Sequence, residues 1–144
     1  MYRHILVATD GSQLSNAAVE HAANLAKVVK ATLIVITVLA PYFPYENEPQ
    51  FEAYQDSRKT LAMQDLNVAK IIASRLGVTC DIVLVENAEP YQGIIDTAKK
   101  RECDLIVMAS HGRRGITAIV LGSETVKVLT HSAVPVLVIQ PSKT

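Results

Sequence analysis

The chain has 144 residues, 49% hydrophobic and 19% charged, with Lys+Arg and Asp+Glu each at 14. That length suits one domain with a sizeable core, and the composition excludes a disordered chain. Zero net charge argues against a general nucleic-acid binder, and two cysteines are too few for a secreted disulfide scaffold of this size.

The first apolar run, HILVAT (4–9), reads as a strand that closes on Thr9-Asp10-Gly11-Ser12. Its neighbour MYRHILVATDGS turns polar too soon for a signal peptide. Ser12 or Ser15 can cap a helix whose inner face carries Ala18, Ala22, Leu25, Ala26 and Val29 at 3.6-residue spacing. TLIVITVL (32–39) is the second strand. APYFPYENEPQFEAYQDS (40–57), with three prolines and clustered acids and tyrosines, reads as a long irregular loop. A second helix places Ala62, Leu66, Ala69, Ala73 and Leu76 on one face and stops at Gly77. The third strand, CDIVLV (80–85), alternates: Cys80, Ile82 and Leu84 share a side, which suits a sheet edge. Pro90 opens a third helix through Tyr91, Ile94, Ile95 and Ala98. DLIVMA (104–109) is the fourth strand, a helix from Ser123 includes Val126 and Leu129, and PVLVI (135–139) is the fifth strand. Cys80 and Cys103 lie in or beside apolar runs and read as buried reduced thiols. No apolar run nears the ~20 residues of a membrane span, so a soluble cytoplasmic protein with no membrane partner is expected.

Strict alternation of strand and helix predicts one α/β domain with a mostly parallel sheet and helices on both faces. In such sheets ligands bind beyond the carboxyl ends of the strands, where strand order reverses. Polar residues follow the first strand, at Thr9-Asp10-Gly11-Ser12, and the fourth, at Ala109-Ser110-His111-Gly112. Gly112 lets a backbone N–H approach a phosphate without an intervening Cβ. Gly122-Ser123 presents N–H groups at a helix start, an anion site by geometry and dipole. Arg113 and Arg114 add positive charge, Asp10 suits ribose hydroxyls, and backbone groups near Val38 can read an adenine edge. Gly115, Arg114 and His111 also read as a turn residue, a solvated charge and a turn histidine. His4, His21 and His131 have no clustered partners, so no protein-built metal site is expected. No Ser-His-Asp set, P-loop or Gly-x-Gly-x-x-Gly follows the first strand. Asp10 stands without the acidic cluster of a phosphoacceptor domain.

The pattern resembles the universal stress protein family over nearly the whole chain: ILVATDGS at the start, AEPYQGIIDTAKKRECDLIVMASHGRRG in the third helix and fourth strand, and LGSETVKVLTHSAVPVLVI at the close. ATP-binding members carry Gly-x2-Gly-x9-Gly-(Ser/Thr). Gly112, Gly122 and Ser123 match its last three positions, and Ala109 stands at the first glycine. The resemblance implies an open, Rossmann-like, five-stranded sheet in the order 3-2-1-4-5. It implies ATP as ligand, with Mg²⁺ bridging the phosphates. Asp10 would meet the ribose and the Val38 backbone the adenine. Gly112, Arg113, Gly122, Ser123 and Glu124 would surround the phosphates, with Thr125 close by. Thr9, Met108, Ala109 and His111 complete the candidate nucleotide-binding set; no residue is assigned a catalytic role. The resemblance also implies a homodimer through 134–140 and a nucleotide-dependent sensor or switch in the stress response. The alternative is a nucleotide-free dimeric module that captures a protein partner through its 40–57 loop.

Overall fold

The computed structural model describes residues 1–41, 51–112 and 121–142. The described elements alternate as expected: β1 (His4–Ala8), α1 (Gln13–Val29), β2 (Thr32–Leu39), α2 (Phe51–Arg75), β3 (Cys80–Glu86), α3 (Pro90–Lys100), β4 (Leu105–Ala109), α4 (Ser123–His131) and β5 (Val136–Ile139). The strands form one parallel sheet in the order β3-β2-β1-β4-β5. β3 is therefore an edge strand, as its alternation predicts.

The near-continuous apolar strands are explained by helices on both faces. Alternate residues divide between two layers. Ile5, Val7, Leu33, Val35, Leu105 and Val107 pack with α1 and α2, whose buried residues include Ala18, Ala22, Ala26, Leu66, Ala69 and Ala73. Leu6, Ile34, Ile36, Ile106 and Met108 face the other way, onto Ile94 and Ala98 of α3 and Val128 of α4. Alanine on the inner stripe of α1 lets that helix backbone lie close to the sheet. Helix α1 starts at Ser12, whose side chain accepts the Ser15 N–H, and it ends at Lys30 in the left-handed conformation.

Two expectations need correction. The irregular stretch ends sooner than 57: Phe51 already begins α2, because helix-forming Glu52, Ala53 and Gln55 follow the last proline. Residues 42–50 of that expected loop lie outside the described residues. Helix α4 includes Val126 and Leu129 as expected; they are 45% and 42% exposed, and its inward positions are Thr125 and Val128. The sheet is reached by residues 125 and 128, and 126 and 129 fall one step round the helix. Of the two free thiols only Cys103 is buried; Cys80 is half-buried on the edge strand. Burial pushes the Cys103 thiol up to about 11, which keeps it protonated and unreactive.

Candidate functional site

Strands β1 and β4 are neighbours in the sheet although about a hundred residues apart in sequence. From β1 the chain turns to α1 on one face; from β4 it leads to α4 on the other. Their carboxyl ends therefore part and leave a crevice. A cleft of about 490 Å³ opens there. Its apolar wall consists of Ala8, Ile36, Val38, Ile94 and Met108, all on the α3/α4 side of the sheet. Its polar end carries Asp10, His111, Gly112 and Gly122–Thr125.

Eleven of the twelve candidate residues line this one cleft: Thr9, Asp10, Val38, Met108, Ala109, His111, Gly112, Gly122, Ser123, Glu124 and Thr125. Arg113 lies outside the described residues, as do Arg114 and Gly115. Ala8, Ser15, Ile36, Pro90 and Ile94 also line it. Sequence reading missed them as site residues because Ala8, Ile36 and Ile94 read as core, Ser15 as a helix cap and Pro90 as a helix start. Their signal is positional: each sits at the carboxyl end of a strand or in the first turns of a helix.

The side chains within the cleft divide into those that hold the frame and those that face the space. Thr9 is a frame residue. It is 5% exposed, its hydroxyl meets Ser15 Oγ at 3.0 Å and accepts the Gly11 N–H, and its carbonyl accepts from Thr37 Oγ1. Gly11 has φ +80°, a conformation that suits glycine. Asp10 Oδ1 accepts the Ser12 N–H at 2.9 Å, which closes the turn. Asp10 Oδ2 lies against Gly112, so that a Cβ added there would stand 2.5 Å from it. Gly112 is thus fixed by contact with the carboxylate.

The start of α4 is built almost wholly from backbone. Gly122 is the N-cap and makes no side-chain capping bond. Its N–H donates to the Ser110 carbonyl at 2.6 Å, and its carbonyl accepts the first helical bond, from Val126 N–H at 3.0 Å. The amides of Ser123, Glu124 and Thr125 are those the helix leaves without an intrahelical acceptor. The Thr125 hydroxyl donates to the Ala109 carbonyl at 2.9 Å, tying α4 to the end of β4. The Glu124 carboxylate turns across the cleft to α3 and accepts the Tyr91 N–H at 2.8 Å. What Gly122–Thr125 offers a ligand is the first-turn N–H groups, the Ser123 hydroxyl and the positive end of the helix dipole.

Ala109 sits in β4, paired with Ile139 and 8% exposed. It is not among the described residues with positive φ. Strand alternation places its methyl on the side of Val107 and Ile139, toward α1, and Met108 faces the apolar wall. Ala109 borders the cleft, and strand alternation directs its side chain to the other face of the sheet.

The model of the universal stress protein family matches residues 1–140. The chain belongs to the universal stress protein family. Among relatives of this family, universal stress protein MJ0531 of Methanocaldococcus jannaschii is 32% identical, covering 99% of this chain and 85% of that protein. The universal stress protein UspA from Lactobacillus plantarum shares the fold with a TM-score of 0.84 at 26% identity, covering 96% and 97% of the two chains. A universal stress protein solved in complex with cAMP has a TM-score of 0.76 at 27% identity, covering 98% and 99%. The family sheet order and its two-sided helical cover are those of this chain.

Proposed function

We propose that this universal stress protein binds an adenine nucleotide, ATP in the cell, in the cleft between β1 and β4, and serves as a nucleotide-dependent sensor or switch. The observation that carries the reading is the start of α4: first-turn amides, with no side-chain cap, open onto an apolar cleft in a chain whose relative binds cAMP. The neighbouring helix starts are closed, α1 by Ser12 and α3 by Glu124. The base lies against Ala8, Ile36, Val38, Ile94 and Met108, with the Val38 backbone at its edge. Asp10 receives the ribose hydroxyls. The phosphates lie against Gly112 and the amides of Ser123–Thr125, with His111 at the rim.

No group of three His, Cys, Asp or Glu able to hold a metal occurs among the described residues. Mg²⁺ would enter this cleft with the ATP phosphates, and Asp10 and Glu124 are the carboxylates that line it.

We also assign the outer edge of β5 as the contact between two copies. The sheet ends there, and Leu137 is 41% exposed on it, with Val126 and Leu129 of α4 exposed as well. Pairing two such edges covers unpaired backbone groups and apolar side chains together.

Protein purified without added nucleotide is heat-denatured and the supernatant analysed by mass spectrometry, followed by titration of the emptied protein with ATP. Released ATP, or saturable uptake at millimolar concentration, supports the reading. An empty protein that takes up no ATP sinks it and leaves the dimeric interaction module as the better account.

A further inference from the structure

We propose that Glu124 is a positioning residue: by accepting the Tyr91 N–H from across the cleft, it sets the place of α3 and so the shape of the base-binding wall. The inference rests on the nucleotide reading above and adds to it a role for a side chain that points away from the phosphates.

Helix α3 begins with Glu89 as N-cap, and that residue makes no side-chain capping bond. Pro90 brings no N–H. The Tyr91 N–H is then the first orphan donor of the helix, and its partner comes from another element, Glu124 Oε2 at 2.8 Å. The other oxygen, Oε1, lies 3.6 Å from Lys127, which also stands 3.8 Å from Glu89 and 5.6 Å from the centre of the Tyr91 ring. Beyond it the Tyr91 ring packs on His131, with centroids 5.4 Å apart. The first turn of α4 and the first turn of α3 are thus clasped at the cleft mouth.

What α3 contributes to the cleft explains why the clasp matters. Pro90 and Ile94 line the apolar wall. Between them Gly93 packs directly on β2: a Cβ there would stand 2.9 Å from Val38 Cγ1. Val38 is the residue whose backbone meets the base edge in the proposed mode. The start of α3 is therefore held at two points, by Gly93 on Val38 and by Tyr91 on Glu124. Loss of the second leaves a half-buried amide without an acceptor and frees the first turn to fray. A carboxylate at this place also lies at the positive ends of two helices, which favours it electrostatically.

Adenosine probes the base half of the cleft. Its binding is measured by NMR titration for the wild-type chain, Glu124→Ala and Glu124→Gln. Glutamine keeps an oxygen for the Tyr91 N–H and drops the charge. In Glu124→Ala adenosine affinity falls roughly fivefold, because only part of what this bond contributes to α3 reaches the ligand. Its Tyr91 amide exchanges faster. Glu124→Gln recovers most of the adenosine affinity. Unchanged adenosine binding in Glu124→Ala, or a Glu124→Gln as weak as the alanine variant, overturns the inference. A wild-type chain that takes up neither adenosine nor ATP overturns the nucleotide reading instead. The Tyr91 amide, which needs no ligand, then decides the clasp alone, and unchanged exchange in both variants refutes it.

Discussion

Replacing Ser123 by proline tests whether backbone amides bind the phosphates. Ser123 is exposed and is the first residue of α4, a position proline favours because its fixed φ suits a helix start. The preceding Gly122 has φ −61° and ψ 154°, inside the extended region that a following proline requires. The helix therefore accepts the change with a stability shift within about 0.5 kcal/mol. The variant loses one N–H aimed at the polar end of the cleft, together with a hydroxyl. A hydrogen bond to a charged group contributes about 1.5–3 kcal/mol, so loss of about 2 kcal/mol weakens ATP binding roughly 30-fold. Ser123→Ala removes only the hydroxyl and serves as the control, with a loss of about fivefold or less. Gly122→Val is a poorer probe, since a Cβ there meets the His111 Cα at 3.2 Å and the Ser110 carbonyl at 3.3 Å and distorts the loop itself. Isothermal titration calorimetry with ATP, alongside thermal melts, reads both quantities. An Ser123→Pro variant that melts like the wild type and binds ATP as tightly refutes the amide cradle. If Ser123→Ala instead loses as much as Ser123→Pro, the hydroxyl carries the contact.

Ala109→Gly restores the glycine of the family motif, yet it should leave ATP affinity within about twofold, because the methyl it removes faces α1, and it should lower stability by about 0.5–1 kcal/mol through the flexibility of glycine in a strand; a tenfold gain in affinity would place the methyl in the ligand's way. Leu137→Lys should weaken the proposed dimer: an isologous contact loses the leucine twice, and with 41% of each side chain left to bury this is about 1–2.5 kcal/mol in all, or roughly 10- to 60-fold in affinity by analytical ultracentrifugation, and a variant that sediments like the wild type would move the interface elsewhere. At the opposite end of the sheet, Asp104 accepts the N–H groups of Arg3 and His4 at 2.9–3.1 Å. Partial burial acts to raise its pKa, but these backbone bonds prevail and hold it below the usual carboxylate value. A depressed folded-state pKa gives stability that is present above the unfolded value near 3.9 and lost as pH falls through the folded one. Asp104→Asn should therefore melt lower than the wild type at pH 7, by about 1 kcal/mol after solvent screening, with the gap closing in acid below pH 4; a gap that stays constant with pH would remove the charge from the account.

The architecture was legible because covering a sheet on both faces writes itself into composition. Strands such as LIVMA and TLIVITVL are continuous in branched residues, and the one strand that alternates is the edge strand β3. The start of α3 was equally plain, since proline at a first helical position has few other uses. Two features were not legible, for different reasons. The start of α2 was hidden by sequence neighbours: acids, tyrosines and prolines suggest a loop, although the residues that follow Pro49 are themselves helix formers. The inward face of α4 was not legible because its two large apolar residues, Val126 and Leu129, are exposed, while the buried Thr125 is polar. Burial of that threonine follows from its bond to the Ala109 carbonyl, a contact between elements that spacing within one helix does not encode.

The same distinction governs the site. Sequence identifies residue types with chemistry on their side chains: Thr9, Asp10, Glu124 and Thr125. In the folded chain Thr9 closes the β1 turn, Thr125 pins α4 to β4, Glu124 clasps α3, and one oxygen of Asp10 holds the Ser12 amide. These groups set the backbone in place, and in the proposed mode it is the backbone that meets the phosphates. A cradle of this kind depends on conformation more than on residue identity. That is why an alanine at position 109 is consistent with binding when its φ is extended and its side chain leaves by the far face. By the same reasoning a proline at position 123, which leaves the fold intact but deletes an amide, is expected to matter more.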